Sequence, residues 1–192
     1  MVIPGKPNLS IRMLNDGDYR ELEKFCLICK SLGLENNKDA KSIKLDKMIM
    51  PYGQYFIGWD NDNNSIWNLA GVHHLPELGD NVWRVLFRGA QLPGYTLGVG
   101  KDFLKISYHW RYFLPLQINF IKKQYPDSKF VISTNIKNPT AGKSDQLNKK
   151  LMPLLVNRGI ISLLKEDFDL FYTKQNIWLI NDQNLTQALA QL

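Results

Sequence analysis

Two histidines and a glutamate stand close together near the middle of the chain: His73, His74 and Glu77. They fall within Val72–Leu78, near the end of a predicted strand. Histidine titrates near neutral pH, and a partly buried glutamate can be tuned to do so, so either could accept a proton from a reacting group. The segment therefore contains candidates for a general base. A polar hairpin edge without catalytic chemistry is the alternative that the sequence leaves open.

A pair of glycines, Gly98 and Gly100, lies in the segment that begins at Tyr95. This segment follows the long predicted strand Asn81–Leu92 and precedes a long helical stretch. The first N–H groups of a helix lack partners within the helix, and the helix dipole attracts anions. Glycine also lets a phosphate approach the backbone closely. The backbone N–H groups of Gly98, Val99 and Gly100 could therefore lie close to an anion, and a flexible glycine-rich turn is the alternative.

The two cysteines, Cys26 and Cys29, form a C-x-x-C motif inside a helical pattern. A redox pair of this kind needs its first cysteine at a helix N-terminus, where the dipole lowers the pKa of the thiol. A zinc site would need two more ligands, and His73 and His74 are the available histidine pair. Because both cysteines fall on the apolar face of the helix, we expect them to be buried core residues.

The composition is that of a soluble globular domain. The chain has 192 residues, 44% of them hydrophobic and 22% charged, and a formal charge of +6. This charge favours an anionic partner, either a nucleotide-bearing cofactor or nucleic acid. The aromatic-basic stretch Tyr108–Phe113 could stack on a single strand if it were exposed. Helical spacing, however, assigns Trp110 to the buried face, so the sequence does not favour nucleic-acid binding.

The sequence contains no membrane or export signal that we can identify. No apolar run approaches the roughly 20 residues of a membrane helix. Met1–Leu9 lacks the apolar core of a signal peptide. We expect a cytoplasmic protein with no membrane association.

The first two thirds of the chain predict an antiparallel meander flanked by helices. Apolar residues recur at helical spacing after the capping candidate Asn15, and clusters of Asn, Asp and Gly separate the later strands. We expect a kink or two separate helices where Pro115 interrupts the long helical segment. The predicted elements are a strand at Leu9–Leu14, a helix ending near Gly33, a short helix at Ile43–Met50, strands at Gln54–Trp59, Ser65–Val72 and Asn81–Leu92, and a helical segment ending near Gln124.

The last third alternates between strand and helix. Lys129–Asn135 predicts a buried strand, and Ser144–Arg158 predicts a helix that ends at Gly159. Within that helix, Pro153 predicts either a kink or the first turn of a shorter helix. Three further strands are predicted, of which the first two form a hairpin: Ile160–Leu164, Phe168–Thr173 and Ile177–Ile180.

This order of strand, asparagine, helix, Gly159-Ile160 and paired strands resembles the GNAT N-acetyltransferase superfamily, over about residues 9–180. The resemblance implies a single α/β domain spanning residues 1–192, with a central mixed, mostly antiparallel sheet and helices on both faces. It also implies that Asn81–Leu92 and Lys129–Asn135 are parallel neighbours. In that family the two strands splay apart at one end and form the cofactor cleft.

The resemblance implies acetyl-CoA as the cofactor. The family holds its pyrophosphate on a loop of the form Gln/Arg-x-x-Gly-x-Gly/Ala, which Gly98 and Gly100 match, although Tyr95 replaces the leading residue. The strand ending near Arg88 would pair with the pantetheine. Asn135 matches a position that is often Asn in the family.

One position departs from the family pattern. On the helix before the Gly-Phe/Ile step, the family has a tyrosine that protonates the leaving thiolate. Alignment on Gly159-Ile160 puts Leu155 at this position, and leucine cannot transfer a proton.

The resemblance therefore predicts that the protein is an acyl-CoA-dependent N-acyltransferase. Its acceptor would be a small-molecule or peptide amine, with the base supplied by His73, His74 or Glu77. The alternative is a catalytically inactive module with the same fold, for example a viral one, that binds an anionic or nucleic-acid partner. The oligomeric state does not follow from the sequence.

Overall fold

The computed structural model describes residues 1–31, 40–49, 53–90, 107–136 and 147–192. Its strands and helices agree with most of the predicted elements. The strands are β1 (Val2–Ile3), β2 (Lys6–Met13), β3 (Gln54–Asp60), β4 (Ser65–His74), β5 (Val82–Ala90), β6 (Lys129–Asn135), β7 (Ile161–Leu170) and β8 (Thr173–Ile180). The α-helices are α1 (Tyr19–Ser31), α2 (Ala40–Ile49), α3 (Leu114–Lys122), α4 (Met152–Asn157) and α5 (Asp182–Ala190).

In the described ranges the strands form one eight-stranded sheet in the order β1-β2-β3-β4-β5-β6-β8-β7. All neighbouring strands are antiparallel except β5 and β6, which are parallel. The helical crossover between β5 and β6 is what a parallel pair requires. The expected mixed, mostly antiparallel sheet is therefore confirmed, as is the expected parallel pair.

Strand alternation divides the apolar side chains between the two faces of the sheet. On one face Tyr55 and Ile57 pack with Leu22 and with other residues of α1 and α2. On the other face Phe56 packs in the large core that contains Ile118 of α3 and residues of α4 and α5. The helices thus cover both faces, as expected. We call these the α1–α2 face and the α3–α5 face.

Pro115 and Pro153, the two prolines expected to interrupt helices, each lie in the first turn of an α-helix. Pro115 follows Leu114 at the start of α3, after a π-helical turn at His109–Phe113. Pro153 occupies the same place in α4, after a π-helical turn at Leu147–Leu151. Proline lacks an N–H group, and its ring crowds the carbonyl four residues back. A wider preceding turn accommodates both effects, so the helical path continues through Pro115.

The prediction of a hairpin between Ile160–Leu164 and Phe168–Thr173 is wrong. These segments belong to the single strand β7, whose register with β8 shifts twice between Leu163 and Phe168. The polar residues that suggested a turn lie on an exposed edge strand, with Asp167 at a φ of 51°. The real turn falls at Phe171 and Tyr172, whose large side chains are not typical of a tight turn.

Helix α1 carries the two cysteines into the core, as expected. Cys26 and Cys29 are thiols, not a disulfide, and both are buried in the core between the sheet and helices α1 and α2. None of the described helices is long and apolar enough to cross a membrane.

Candidate functional site

The sheet opens between β5 and β6. These strands pair through three residue pairs, Val82–Lys129, Trp83–Phe130 and Arg84–Val131. Beyond the third pair β5 stays bonded to β4, and β6 stays bonded to β8 as far as Asn135. The two halves of the sheet therefore separate towards the carboxyl ends of both strands. Along β6 the open part extends roughly 13 Å, at about 3.3 Å per residue.

A bulge in β5 accompanies the opening. Leu69 of β4 pairs with Gly89 and Ala70 pairs with Phe87, so Arg88 is an extra residue without an opposite neighbour. A bulge bends its strand and increases the local twist. The backbone of Arg88, one of the predicted cofactor residues, thus lies in the open part of the sheet.

The open edge of β5 offers backbone hydrogen-bonding groups. Every second residue of a sheet strand directs its N–H and C=O groups towards each neighbour. Past Arg84 no described strand pairs with β5 on the β6 side. Buried backbone groups need partners, and an extended ligand with amide groups could supply them as an added strand does. The open edge of β5 can therefore accept an extended ligand that contains amide groups.

His73 lies where the opening begins. It pairs in register with Arg84, which is in the last residue pair joining β5 and β6. Because Val72 belongs to the core under α3–α5, His73 lies on the opposite, α1–α2 face. Its ring centroid is 6.1 Å from that of Phe171, and the Arg84 guanidinium lies 5.0 Å from the same ring. His73, Arg84 and Phe171 thus meet at the apex of the opening.

The other two candidate bases lie elsewhere. His74 occupies the α3–α5 face, where its ring packs 5.3 Å from that of Trp83 and its Nε2 lies 2.7 Å from the Asp80 carbonyl oxygen. Glu77 is exposed in the 3₁₀ turn Pro76–Leu78. Adjacent residues of a strand point to opposite faces, so closeness in sequence does not bring the three side chains together.

Asn135 ends β6 opposite Gln175, at the open end of the sheet. The candidate phosphate loop, Gly98, Val99 and Gly100, lies outside the described residues, and its role stays a prediction. Leu155 is fully buried in the core under α4 and carries no group that could donate a proton.

His109 is a structural histidine. It lies in the π-helical turn before α3, 4% exposed, with its ring stacked on that of Phe113. Burial lowers the pKa of His109 to about 3, so the ring is neutral at physiological pH. The structure also assigns no metal centre within its described ranges, where no three His, Cys, Asp or Glu side chains cluster.

Sequence reasoning did not identify Arg84, Phe171 or Ser133 as site residues. Arg84 and Phe171 come from distant parts of the chain, and Ser133 lies in the open part of β6. One signal was available for the arginine. It is a charged residue in the mostly apolar first half of β5, between Trp83 and Val85, which form part of the core.

The fold matches solved structures over almost the whole chain. An acetyltransferase of the GNAT family from Staphylococcus aureus Mu50 superposes with a TM-score of 0.53 at 17% identity, covering 90% of this chain and 98% of that chain. A spermidine N-acetyltransferase from Vibrio cholerae, solved with CoA and spermine, gives a TM-score of 0.51 at 13% identity, with 93% and 98% covered. A ribosomal-protein-S5-alanine acetyltransferase from Vibrio fischeri gives 0.53 at 13% identity, with 91% and 94% covered.

Sequence comparison alone detects none of this similarity. No protein-family model matches the chain, and no curated protein sequence matches it. The similarity is therefore one of fold. The chain has the fold of the GNAT acetyltransferases.

Proposed function

We propose that this protein is an acyl-CoA-dependent N-acyltransferase whose cofactor binds in the opening between β5 and β6. The observation that carries the proposal is the separation of these parallel strands beyond Arg84 and Val131. Bound acetyl-CoA supplies an activated acyl group for transfer to an amine. Residues 85–90 of β5 would hold its pantetheine arm through backbone hydrogen bonds, with the Arg88 bulge among them.

The proposed phosphate contacts lie in the loop that follows β5. Gly98, Val99 and Gly100 follow Ala90, the last residue of β5, by eight to ten positions in the sequence, and β5 and β6 both run towards the open end of the sheet. Backbone N–H groups and small side chains suit a pyrophosphate there. The net charge of +6 favours such an anion.

The proposed acceptor is an amine, either of a small molecule or of a peptide. Two of the similar structures belong to enzymes described as acting on spermidine and on the alanine of ribosomal protein S5. An amine must lose a proton to attack an acyl group, and an imidazole is suited to accept it near neutral pH. Of the three candidate bases, His73 is nearest to the apex of the opening, so we assign it this role.

Calorimetric titration of the protein with acetyl-CoA and with CoA tests the cofactor site. Binding is expected in the wild type, and Gly98→Val should abolish it because a side chain there obstructs the phosphates. Gly17→Ala is the matched control, since a Cβ at Gly17 would meet no atom within 4 Å. If the wild-type protein binds neither ligand, the alternative hypothesis, a catalytically inactive module with the same fold, is the correct one.

A pair of histidine variants tests the assigned base. In an assay of acetyl transfer to a panel of amines, His73→Gln should lower kcat by about 10²–10⁴, the usual contribution of general base catalysis. His74→Gln should leave kcat nearly unchanged, because His74 lies on the opposite face against Trp83. Equal losses in the two variants would contradict the assignment.

A further inference from the structure

Ser133 has a buried hydroxyl group in the open part of β6. Its Oγ has no hydrogen-bond partner among the described residues. Buried side-chain oxygens in folded proteins are nearly always hydrogen-bonded. The neighbouring hydroxyl follows this rule, since Thr134 Oγ1 accepts a 2.8 Å hydrogen bond from Trp178 Nε1.

Ser133 lies on the α1–α2 face. Its neighbour in register on β8 is Ile177, which packs in the same small core as Val131. Residues directly opposite each other on paired strands lie on the same face of the sheet. Ser133 is therefore on the α1–α2 face, as is His73. It also follows the last residue pair between β5 and β6 by two positions, or roughly 7 Å along the strand.

The burial of β6 changes where the strands separate. Phe130 is 1% exposed and Val131 is 0% exposed, although Ile132 and Ser133 are only half-buried. A strand with neighbours on both sides is normally buried along its length. Ile132 and Ser133, the first two residues past the β5–β6 pairs, are thus partly accessible, although Thr134 is 5% exposed.

We propose that the Ser133 hydroxyl donates a hydrogen bond to the carbonyl oxygen of the acyl group of the donor. This inference rests on the proposed function. If the phosphates lie at the open end, the cofactor runs towards the apex and its acyl end lies deepest, near Ser133. The carbonyl oxygen of the thioester in acetyl-CoA can accept a hydrogen bond from a hydroxyl group. The thiol sulfur of CoA is only a weak acceptor.

The same hydrogen bond would assist the reaction without a chemical change in the serine. The amine nitrogen forms a bond to the acyl carbon, and His73 accepts the proton of the amine. The carbon–sulfur bond breaks with its electron pair on sulfur, and a water molecule protonates the leaving thiolate. Ser133 keeps its proton throughout. Negative charge grows on the carbonyl oxygen during attack, and a fixed donor stabilises it.

The test compares the dissociation constants of acetyl-CoA and CoA, measured by calorimetry on the full-length protein. For Ser133→Ala, the Kd of acetyl-CoA should rise about two- to tenfold, the range expected for one hydrogen bond. The Kd of CoA should stay within experimental error. Ser133→Thr retains a hydroxyl and should restore most of the affinity for acetyl-CoA.

Thr134→Val is the matched control, because its hydroxyl is bonded within the protein on the other face. It should lower the melting temperature and leave the ratio of the two Kd values unchanged. If Ser133→Ala changes neither Kd or both equally, the assignment of Ser133 is wrong while the cofactor site stands. If wild type binds neither ligand, the proposed function itself fails.

Discussion

His109 links the stability of the core to pH. Its folded pKa is about 3, below the ordinary value of 6.5, because burial disfavours the charged ring. The unfolded chain therefore binds a proton at His109 between these two values and the folded protein does not. Stability is complete above pH 6.5 and falls as the pH decreases towards 3, by about 2 kcal/mol at pH 5.

Urea unfolding at pH 7 and pH 5 measures this effect. His109→Phe keeps an aromatic ring beside Phe113 and removes the titration. Its free energy of unfolding should depend less on pH, by about 2 kcal/mol over this interval. An unchanged pH dependence in the variant would show that His109 does not titrate as the burial requires.

Gly58 is a position where β3 tolerates no side chain. A Cβ there would lie 2.4 Å from Cε2 of Trp67, which is fully buried in the core. We expect Gly58→Ala to lower the free energy of unfolding by about 1–3 kcal/mol, because the indole must move in a packed core. Gly17→Ala, which meets no neighbour, should change it by less than about 0.5 kcal/mol. Equal unfolding midpoints for the two variants would contradict this account.

At the scale of single elements, the turn between β7 and β8 is strained. Phe171 and Tyr172 have φ values of 49° and 64°, in the left-handed region that disfavours residues with a Cβ. Tyr172 is fully exposed, although Phe171 packs against Arg84 and His73. The strain is therefore compensated at Phe171 by these contacts and has no such compensation at Tyr172.

Relief of this strain should stabilise the protein. Tyr172→Gly should raise the free energy of unfolding by about 0.5–1 kcal/mol, since glycine adopts positive φ without a steric penalty. Phe171→Asn relieves strain too but loses the packing on Arg84, so it should destabilise the protein. Chemical denaturation of the wild type and the two variants measures these free energies. A lower stability of Tyr172→Gly than of Phe171→Asn would contradict this explanation.

The elements that sequence predicted well are those whose pattern has a local cause. Lys129–Asn135 was predicted with its exact ends, because a run of β-branched and aromatic residues is flanked by polar ones. The end of α4 was marked by Gly159, which has a φ of 65°. The β7 bulges were missed because their cause is the position of the strand at an edge, which depends on the whole sheet.

The site was less predictable than the fold for a related reason. His73 and Arg84 meet through the register of β4 and β5, and Phe171 reaches them from residues far along the chain. No spacing in the sequence encodes these contacts. Strand alternation does explain why His73 and His74 could not act together, and it could have been applied to the sequence alone.

At the scale of the molecule, the opening should be visible in backbone dynamics. Amides of β5 beyond Arg84 that point away from β4 lack a strand partner in the described chain and should exchange rapidly with solvent. Acetyl-CoA should slow their exchange by supplying partners. Amides of β3 between Tyr55 and Gly58, paired on both sides, serve as the control and should not respond. Hydrogen exchange followed by mass spectrometry measures both, and slow ligand-independent exchange throughout β5 would contradict the proposed cleft.

The short junction between β5 and β6 also has a consequence for folding. Strands β2 to β5 neighbour one another in space in the order of the sequence, so they can assemble from contacts within the first half of the chain. The junction requires residues 91–128 to cross over before three residue pairs can form. Closing so long a loop is entropically costly. The antiparallel meander is thus expected to fold early, and joining of the two half-sheets is the step that limits the rate and creates the ligand site.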